Sequence, residues 1–226
     1  MRLKDYLPTG PLRARFRLGI TYDHIDDYLY SIAPARDRLL EKMEEYAETN
    51  NVPIIGPIVG RFLYNLAKAS RSKRILEIGA AIGYSGIWLG RAVASEKGSV
   101  TTIELDTSRA YLAEKNIKEA KLSGTIKVVR GDALEIIPKL REKYDLIFLD
   151  SDKEIYLEAF RKSLKLLRKG GLFVADNALW SGEVSTGGTS SEARAMILFN
   201  KEVSGFTGMS TVILPLRDGV LVSLKE

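Results

Sequence analysis

Asp150, Lys153, Asp176 and Asn177 follow two apolar runs, and together they supply groups for chemistry on a hydroxyl. YDLIFL precedes Asp150-Ser151-Asp152-Lys153, and GGLFVA precedes Asp176-Asn177. Short apolar runs bounded by polar residues read as buried parallel strands. In open α/β sheets, ligands bind beyond the carboxyl ends of the strands. Asp150, Asp176 and Asn177 should converge there and present oxygen ligands to a hard divalent cation. Mg²⁺, Ca²⁺ or Mn²⁺ suits such a shell, whereas zinc prefers nitrogen or sulfur. Three protein ligands leave an octahedral ion room for two vicinal acceptor oxygens and a water. Asp150 on its own also reads as a simple turn residue.

A second group of candidates lies earlier. Arg74-Ile75-Leu76-Glu77-Ile78 runs into Gly79-Ala80-Ala81-Ile82-Gly83-Tyr84-Ser85-Gly86. A glycine-bearing turn between strand and helix lets the backbone approach a ligand. Ala81 occupies the second glycine position of a dinucleotide fingerprint, where backbone and pyrophosphate nearly touch. Glu77 also sits poorly beside a pyrophosphate. An acid there better suits a cationic, nucleoside-bearing ligand such as S-adenosylmethionine. Glu104, at the tip of the next strand, can accept both hydroxyls of a ribose. Asp106 or Thr107 caps the helix that follows. Asp132, in Gly131-Asp132-Ala133, reads either as a helix cap or as part of a turn beside an adenine.

These residues need a sheet to position them. Strands are predicted at 73–78, 99–104, 125–130, 144–150, 171–176, 209–215 and 219–224. Helices are predicted at 23–32, 35–49, 57–68, 84–94, 107–121, 137–142, 154–168 and 190–204, with a polar loop at 177–189. Regular alternation implies βαβ units, so the fold class is α/β: a seven-stranded, mostly parallel sheet with helices on both faces. Asp218-Gly219 is a hairpin signal that makes the last strand antiparallel. Residues 1–226 form one domain, with 1–34 as an N-terminal arm and helix and 35–226 as the core. The charged face Arg36, Arg38, Glu41, Lys42, Glu44, Glu45 reads as solvated surface. Leu12–Leu18 alternates apolar and basic residues, as an extended arm would, packed on its own domain or a partner, or touching nucleic acid.

Composition removes other chemistries. There is no Cys, which excludes disulfides, thiolate metal sites and Cys nucleophiles. His24 is the only histidine, so Ser-His-Asp catalysis with any other His is excluded. Gln is absent too, a composition met in heat-adapted proteins. The net charge, 34 − 29 = +5, is compatible with an anionic substrate or RNA. No apolar stretch is long enough to span a membrane and the N-terminus has no apolar signal core, so a cytoplasmic protein without a membrane partner is expected.

EIGAAIGYS, IELD, GDALE, FLDSDK and VADNALWSG, in this order, resemble the class I S-adenosylmethionine-dependent methyltransferases, which are Rossmann-like. More narrowly, they resemble the cation-dependent O-methyltransferases that include the catechol and caffeoyl-CoA enzymes, over about residues 35–226. The resemblance implies that Ile55, Glu77, Gly79, Ala80 and Ser85 contact the methionine side of the cofactor. It implies Glu104 on the ribose, Ala133 at the adenine, and Asp150 on both cofactor and cation. Asp150, Asp176 and Asn177 would hold Mg²⁺ or a similar ion, and Lys153 would be the general base. Asp152, Tyr156 and Trp180 are expected to border the acceptor, with Trp180 stacking on an aromatic ring. Family members are often dimers, so a homodimer is expected.

The acceptor stays open between two classes. One is a catechol-like or hydroxylated aromatic small molecule. The other is tRNA, because Glu45-Tyr46-Ala47-Glu48 and Val52-Pro53-Ile54 resemble bacterial relatives that methylate 5-hydroxyuridine at the wobble position. The basic arm and the Arg71, Lys73, Arg74 cluster would suit RNA. A nucleoside-binding module without turnover is the non-enzymatic reading; Lys153 beside three oxygen ligands argues against it.

Overall fold

The computed structural model describes residues 20–226; the alternating segment Leu12–Leu18 lies outside the described residues. Seven strands form one sheet: β1 (Arg74–Ile78), β2 (Ser99–Glu104), β3 (Ile126–Arg130), β4 (Tyr144–Leu149), β5 (Leu167–Ala175), β6 (Met209–Leu214) and β7 (Val220–Lys225). Their order is β3-β2-β1-β4-β5-β7-β6. β1 through β5 pair in parallel, and β7 runs antiparallel to both β5 and β6. The chain order reverses between β1 and β4, which opens a crevice at their carboxyl ends.

The helices are α1 (Asp23–Ile32), α2 (Arg38–Thr49), α3 (Gly56–Ala69), α4 (Tyr84–Ala94), α5 (Thr107–Glu119), α6 (Ala133–Ile136), α7 (Tyr156–Ser163) and α8 (Ser191–Ser204). The period-2 alternation of the strands divides the core. Ile75, Leu146, Phe148 and Val174 face one layer with Leu63, Ile87 and Trp88. Leu76, Ile78, Ile147 and Phe173 face the other with Phe160, Met196 and Phe199. Glu77 shares its face with Ile75, so its carboxylate points into the α4 side of the core.

Three elements depart from expectation. The helix expected at 137–142 begins at Ala133, because the Asp132 carboxylate accepts the Leu134 N–H at 2.7 Å and starts it early. Beyond Ile136 the chain tightens to a 3₁₀ turn at Ile137–Lys139 around Pro138, which has no N–H to give. The helix expected at 154–168 is a 3₁₀ turn (Lys153–Ile155) followed by α7, and the chain already enters β5 at Leu167. Leu164, Leu166 and Leu167 satisfy both periodicities, and a register shift between Tyr144 and Leu146 accommodates the extra strand residues. The loop at 177–189 contains 3₁₀ turns at Trp180–Thr186.

Arg36 and Glu44 are not solvated surface. Glu44 is 1% exposed, and both its oxygens accept from Arg36 Nε at 3.1 Å while Oε1 also accepts from Tyr84 Oη at 2.6 Å. Burial raises the Glu44 carboxyl above its usual range, opposed by Tyr84 and Arg36. The network ties α2 to the first residue of α4. It was not legible because each member alone looks like a surface charge.

Candidate active site

The carboxyl ends of β1, β2, β3 and β4 open onto one cleft of about 970 Å³. Its nucleoside-sized half is built on the turn between β1 and α4. Gly79 takes φ +96°, and a Cβ there would lie 1.8 Å from the Asp150 carbonyl oxygen. Glycine is therefore required by contact between the β1 and β4 tips, in addition to any ligand. Ala81 adopts φ 45° without being glycine, and the Glu104 carboxylate accepts its N–H at 2.7 Å. The other Glu104 oxygen accepts the Asp106 N–H at 2.9 Å. The strand tip thus fixes the turn while Glu104 keeps lone pairs toward the cleft. Gly83 (φ +86°) precedes α4, whose start has no side-chain cap, so its first N–H groups suit a carboxylate.

Ile55, Gly79, Ala80, Ser85, Glu104, Ala133 and Asp150 all line this cleft. Glu77 does not. It is 0% exposed, with Gly86 packed over it: a Cβ at 86 would stand 2.9 Å from Glu77 Oε2. Both its carboxylate oxygens are buried without a hydrogen-bond partner. Burial pushes this carboxyl up to about 7, with Ser85 and Thr102 as its nearest relief. Glu77 therefore lies behind the cleft wall and does not line it.

At the other end, Lys153 Nζ is surrounded. It donates to Tyr156 Oη at 2.7 Å, Ser151 O at 3.0 Å and Asp150 Oδ1 at 3.3 Å, and it lies 5.7 Å from the Trp180 ring centroid. Lys153 is only 7% exposed. Asp152, Lys153, Asn177 and Trp180 line the cleft. Tyr156 does not border the acceptor space: the 3₁₀ turn before α7 rotates it fully inside, where its hydroxyl also lies 3.2 Å from Asp176 O. Burial, then the Asp150 and Asp176 charges, raise its phenol far above the usual value, so it stays a neutral hydroxyl.

Of the three expected oxygen donors, Asp150 and Asn177 line the cleft, and Asp176 lies buried behind it. Asp176 is 0% exposed; its Oδ2 meets Arg217 Nη1 at 3.3 Å, and its Oδ1 is buried without a hydrogen-bond partner. Burial, then the neighbouring Asp150, push its carboxyl well up, a strain that a bound cation would relieve. Asn177, at φ 57°, donates Nδ2 to Asp218 Oδ2 at 2.9 Å. That bond leaves its amide oxygen as the group to present. The donor set and the unmatched Asp176 oxygen fit a hard cation. Asp218 also accepts the Ser181 N–H, pinning the left-handed Trp180-Ser181-Gly182 turn. In the sequence Arg217-Asp218-Gly219 reads only as a hairpin turn. An acid only 2% exposed there has no signal of its own in the sequence.

The Arg71, Lys73, Arg74 cluster lies at the amino end of β1, the edge opposite the cleft. There the Lys73 and Arg74 N–H groups bond Asp145, which also pairs with Arg168. Among the described residues, no helix is long and apolar enough to cross a membrane.

Residues 32–226 match the sequence model of a family described as O-methyltransferase. A catechol O-methyltransferase of Niastella koreensis is 34% identical over 212 residues, covering 91% of this chain and 93% of that protein. A catechol O-methyltransferase of Mycobacterium tuberculosis is 37% identical over 126 residues, 55% of this chain and 57% of that one. Among solved structures, an O-methyltransferase from Bacillus cereus in complex with SAH superposes with a TM-score of 0.83 at 27% identity, covering 95% of this chain and 100% of that one. The O-methyltransferase TomG from Streptomyces achromogenes, involved in tomaymycin synthesis and solved with SAM, gives 0.82 at 28% identity, covering 94% and 98%.

Proposed function

Because this chain belongs to the O-methyltransferase family, we propose that it transfers a methyl group from S-adenosylmethionine to a hydroxyl of a catechol-like aromatic acceptor, with a divalent cation bound. The observation that carries this reading is one cleft holding two sets of groups. The Gly79–Ser85 turn with Glu104 occupies one half, and Lys153 with Asp150 and Asn177 the other. When bound, the cofactor supplies an electrophilic methyl on a sulfonium, and the cation supplies Lewis acidity for two adjacent oxygens.

The residues then divide the work. Glu104 receives the ribose hydroxyls, and Ala133 borders the adenine. The uncapped start of α4 takes the carboxylate of the methionine moiety. Glu77 adds a negative potential behind it for the sulfonium. Asp150, Asp176 and the Asn177 amide oxygen hold the cation. Lys153 removes the proton of the acceptor hydroxyl. Its three present contacts, to Tyr156 Oη, Ser151 O and Asp150 Oδ1, use every N–H of an ammonium, so the amine must first release one proton to solvent. The lone pair this leaves is what takes the hydroxyl proton. Trp180 offers a face for the acceptor ring. Holding the oxygen in line with the methyl supplies much of the rate.

The decisive experiment is a labelled-methyl transfer assay with Mg²⁺, comparing a panel of catechols with bulk tRNA. Label in a catechol, lost on adding chelator, is expected. Label in tRNA alone would replace the acceptor with 5-hydroxyuridine; transfer undiminished by chelator would remove the cation.

A further inference from the structure

Both carboxylates assigned to the cation are already paired with a cation of the protein. Asp150 Oδ1 meets Lys153 Nζ at 3.3 Å, and Asp176 Oδ2 meets Arg217 Nη1 at 3.3 Å. The two pairs differ in depth. The Asp150 side chain is 26% exposed and lines the cleft. The Asp176 side chain is 1% exposed and does not line it, whereas Arg217, 13% exposed, does. The guanidinium therefore covers Asp176 on the side from which an ion would enter. Its backbone is fixed at φ 54°, next to Asp218, which is bonded to Asn177 and Ser181. Any movement falls to the side chain.

We infer that Arg217 is a resident competitor for the divalent cation: it holds Asp176 Oδ2, stands across the route from the cleft to the unmatched Oδ1, and must swing off for the ion to reach that carboxylate. This rests on the reading that Asp150, Asp176 and Asn177 bind the cation. A guanidinium stays charged at every working pH, so it cannot yield by losing a proton. It offsets part of the cost of burying Asp176, and it opposes a second positive charge a few ångströms away. The same residue thus stabilises the ion-free protein and weakens ion binding. On leaving Asp176 its guanidinium remains in the cleft wall, at the acceptor end.

The test is Mn²⁺ titration of the full chain, stripped with chelator and without acceptor, followed by the electron paramagnetic resonance signal of the unbound ion at pH 8. Arg217→Met should bind Mn²⁺ at least tenfold tighter than the wild type. Arg217→Lys, which keeps the charge, should stay within about threefold of the wild type. In thermal unfolding, Arg217→Met should melt lower than the wild type without Mn²⁺, and saturating Mn²⁺ should close the gap. Equal or weaker binding by Arg217→Met, or equal tightening by Arg217→Lys, would overturn the competitor role while leaving the cation site intact. Absence of Mn²⁺ binding in the wild type would instead overturn the cation site itself, and this inference with it.

Discussion

The Tyr156 hydroxyl accepts a hydrogen bond from Lys153 Nζ at 2.7 Å while lying 3.2 Å from the Asp176 carbonyl oxygen. A phenol has one proton to donate, and the carbonyl takes it; the lone pair left over faces the lysine. Tyr156 thereby sets where the amine of Lys153 stands without touching the acceptor. Tyr156→Phe should lower kcat roughly ten- to a hundredfold, less than the ~10²–10⁴-fold expected for losing a general base in Lys153→Ala. Both variants should bind cofactor as the wild type does. Steady-state kinetics with equilibrium cofactor binding would check this; an unchanged kcat in Tyr156→Phe would remove its positioning role.

Glu77 gives a pH dependence with a definite sign. Its carboxyl is raised from 4.5 to about 7 by burial. Folding therefore takes up a proton between those values, and stability from this group is lost as pH rises from 4.5 through about 7. A cationic cofactor favours the ionised form and offsets that loss. Cofactor affinity should climb as pH increases through about 7 in the wild type, and Glu77→Gln should flatten the climb. Calorimetric titrations at pH 6, 7 and 8 would measure it. A wild-type affinity that falls with rising pH would contradict the proposed role.

These two residues also mark how far the sequence could be read. The strand positions, the mostly parallel sheet and a cleft at its carboxyl ends follow from apolar runs with polar ends, because buried parallel strands leave few other arrangements; the order of the strands does not. What depends on rotation about the chain was not legible. Glu77 lies one residue from Ile78, yet strand alternation sends it under α4, out of the cleft lining. Tyr156 lies three residues from Lys153, and a 3₁₀ turn in place of an α-turn sends it beneath the lysine. Asp218 and Arg217 act across the sheet from a hairpin whose residues match any turn. Glu44 reads as a solvated charge because its partners, Arg36 and Tyr84, lie outside its own helix.

The turn between β1 and α4 predicts opposite responses at two nearby positions. Gly79→Ala forces a Cβ to within 1.8 Å of a backbone carbonyl at φ +96°. Neither atom belongs to a flexible side chain, so destabilisation by about 4 kcal/mol or more is expected, in the range reserved for backbone conflicts in a core. Ala81 already bears a left-handed conformation at φ 45°. Ala81→Gly relieves that strain but gains unfolded-state entropy, leaving stability within about 1 kcal/mol of the wild type. Urea unfolding of both variants would separate them. A Gly79→Ala protein as stable as Ala81→Gly would show that the β1 and β4 tips are not pressed together.

Asp218 provides the sharpest test of how the cation donors are oriented. Its Oδ2 accepts from Asn177 Nδ2 at 2.9 Å, which turns the amide oxygen of Asn177 outward, and its Oδ1 accepts the Ser181 N–H. Asp218→Asn preserves size and can still accept from Ser181. It then presents an NH₂ group to the NH₂ group of Asn177, and two donors cannot pair. Asn177 must flip its amide or move away, and either response withdraws the oxygen from the cation. Groups that orient metal ligands cost about 10–100-fold in metal affinity when replaced. The half-saturating Mg²⁺ concentration in Asp218→Asn should rise by that factor, with cofactor affinity unchanged because Glu104 and the Gly79–Ser85 turn are untouched. Mg²⁺ titrations of initial rate, paired with cofactor binding, would decide. Half-saturation at the wild-type concentration would mean that the Asn177 oxygen is not a ligand, and the cation would then rest on Asp150 and Asp176 alone.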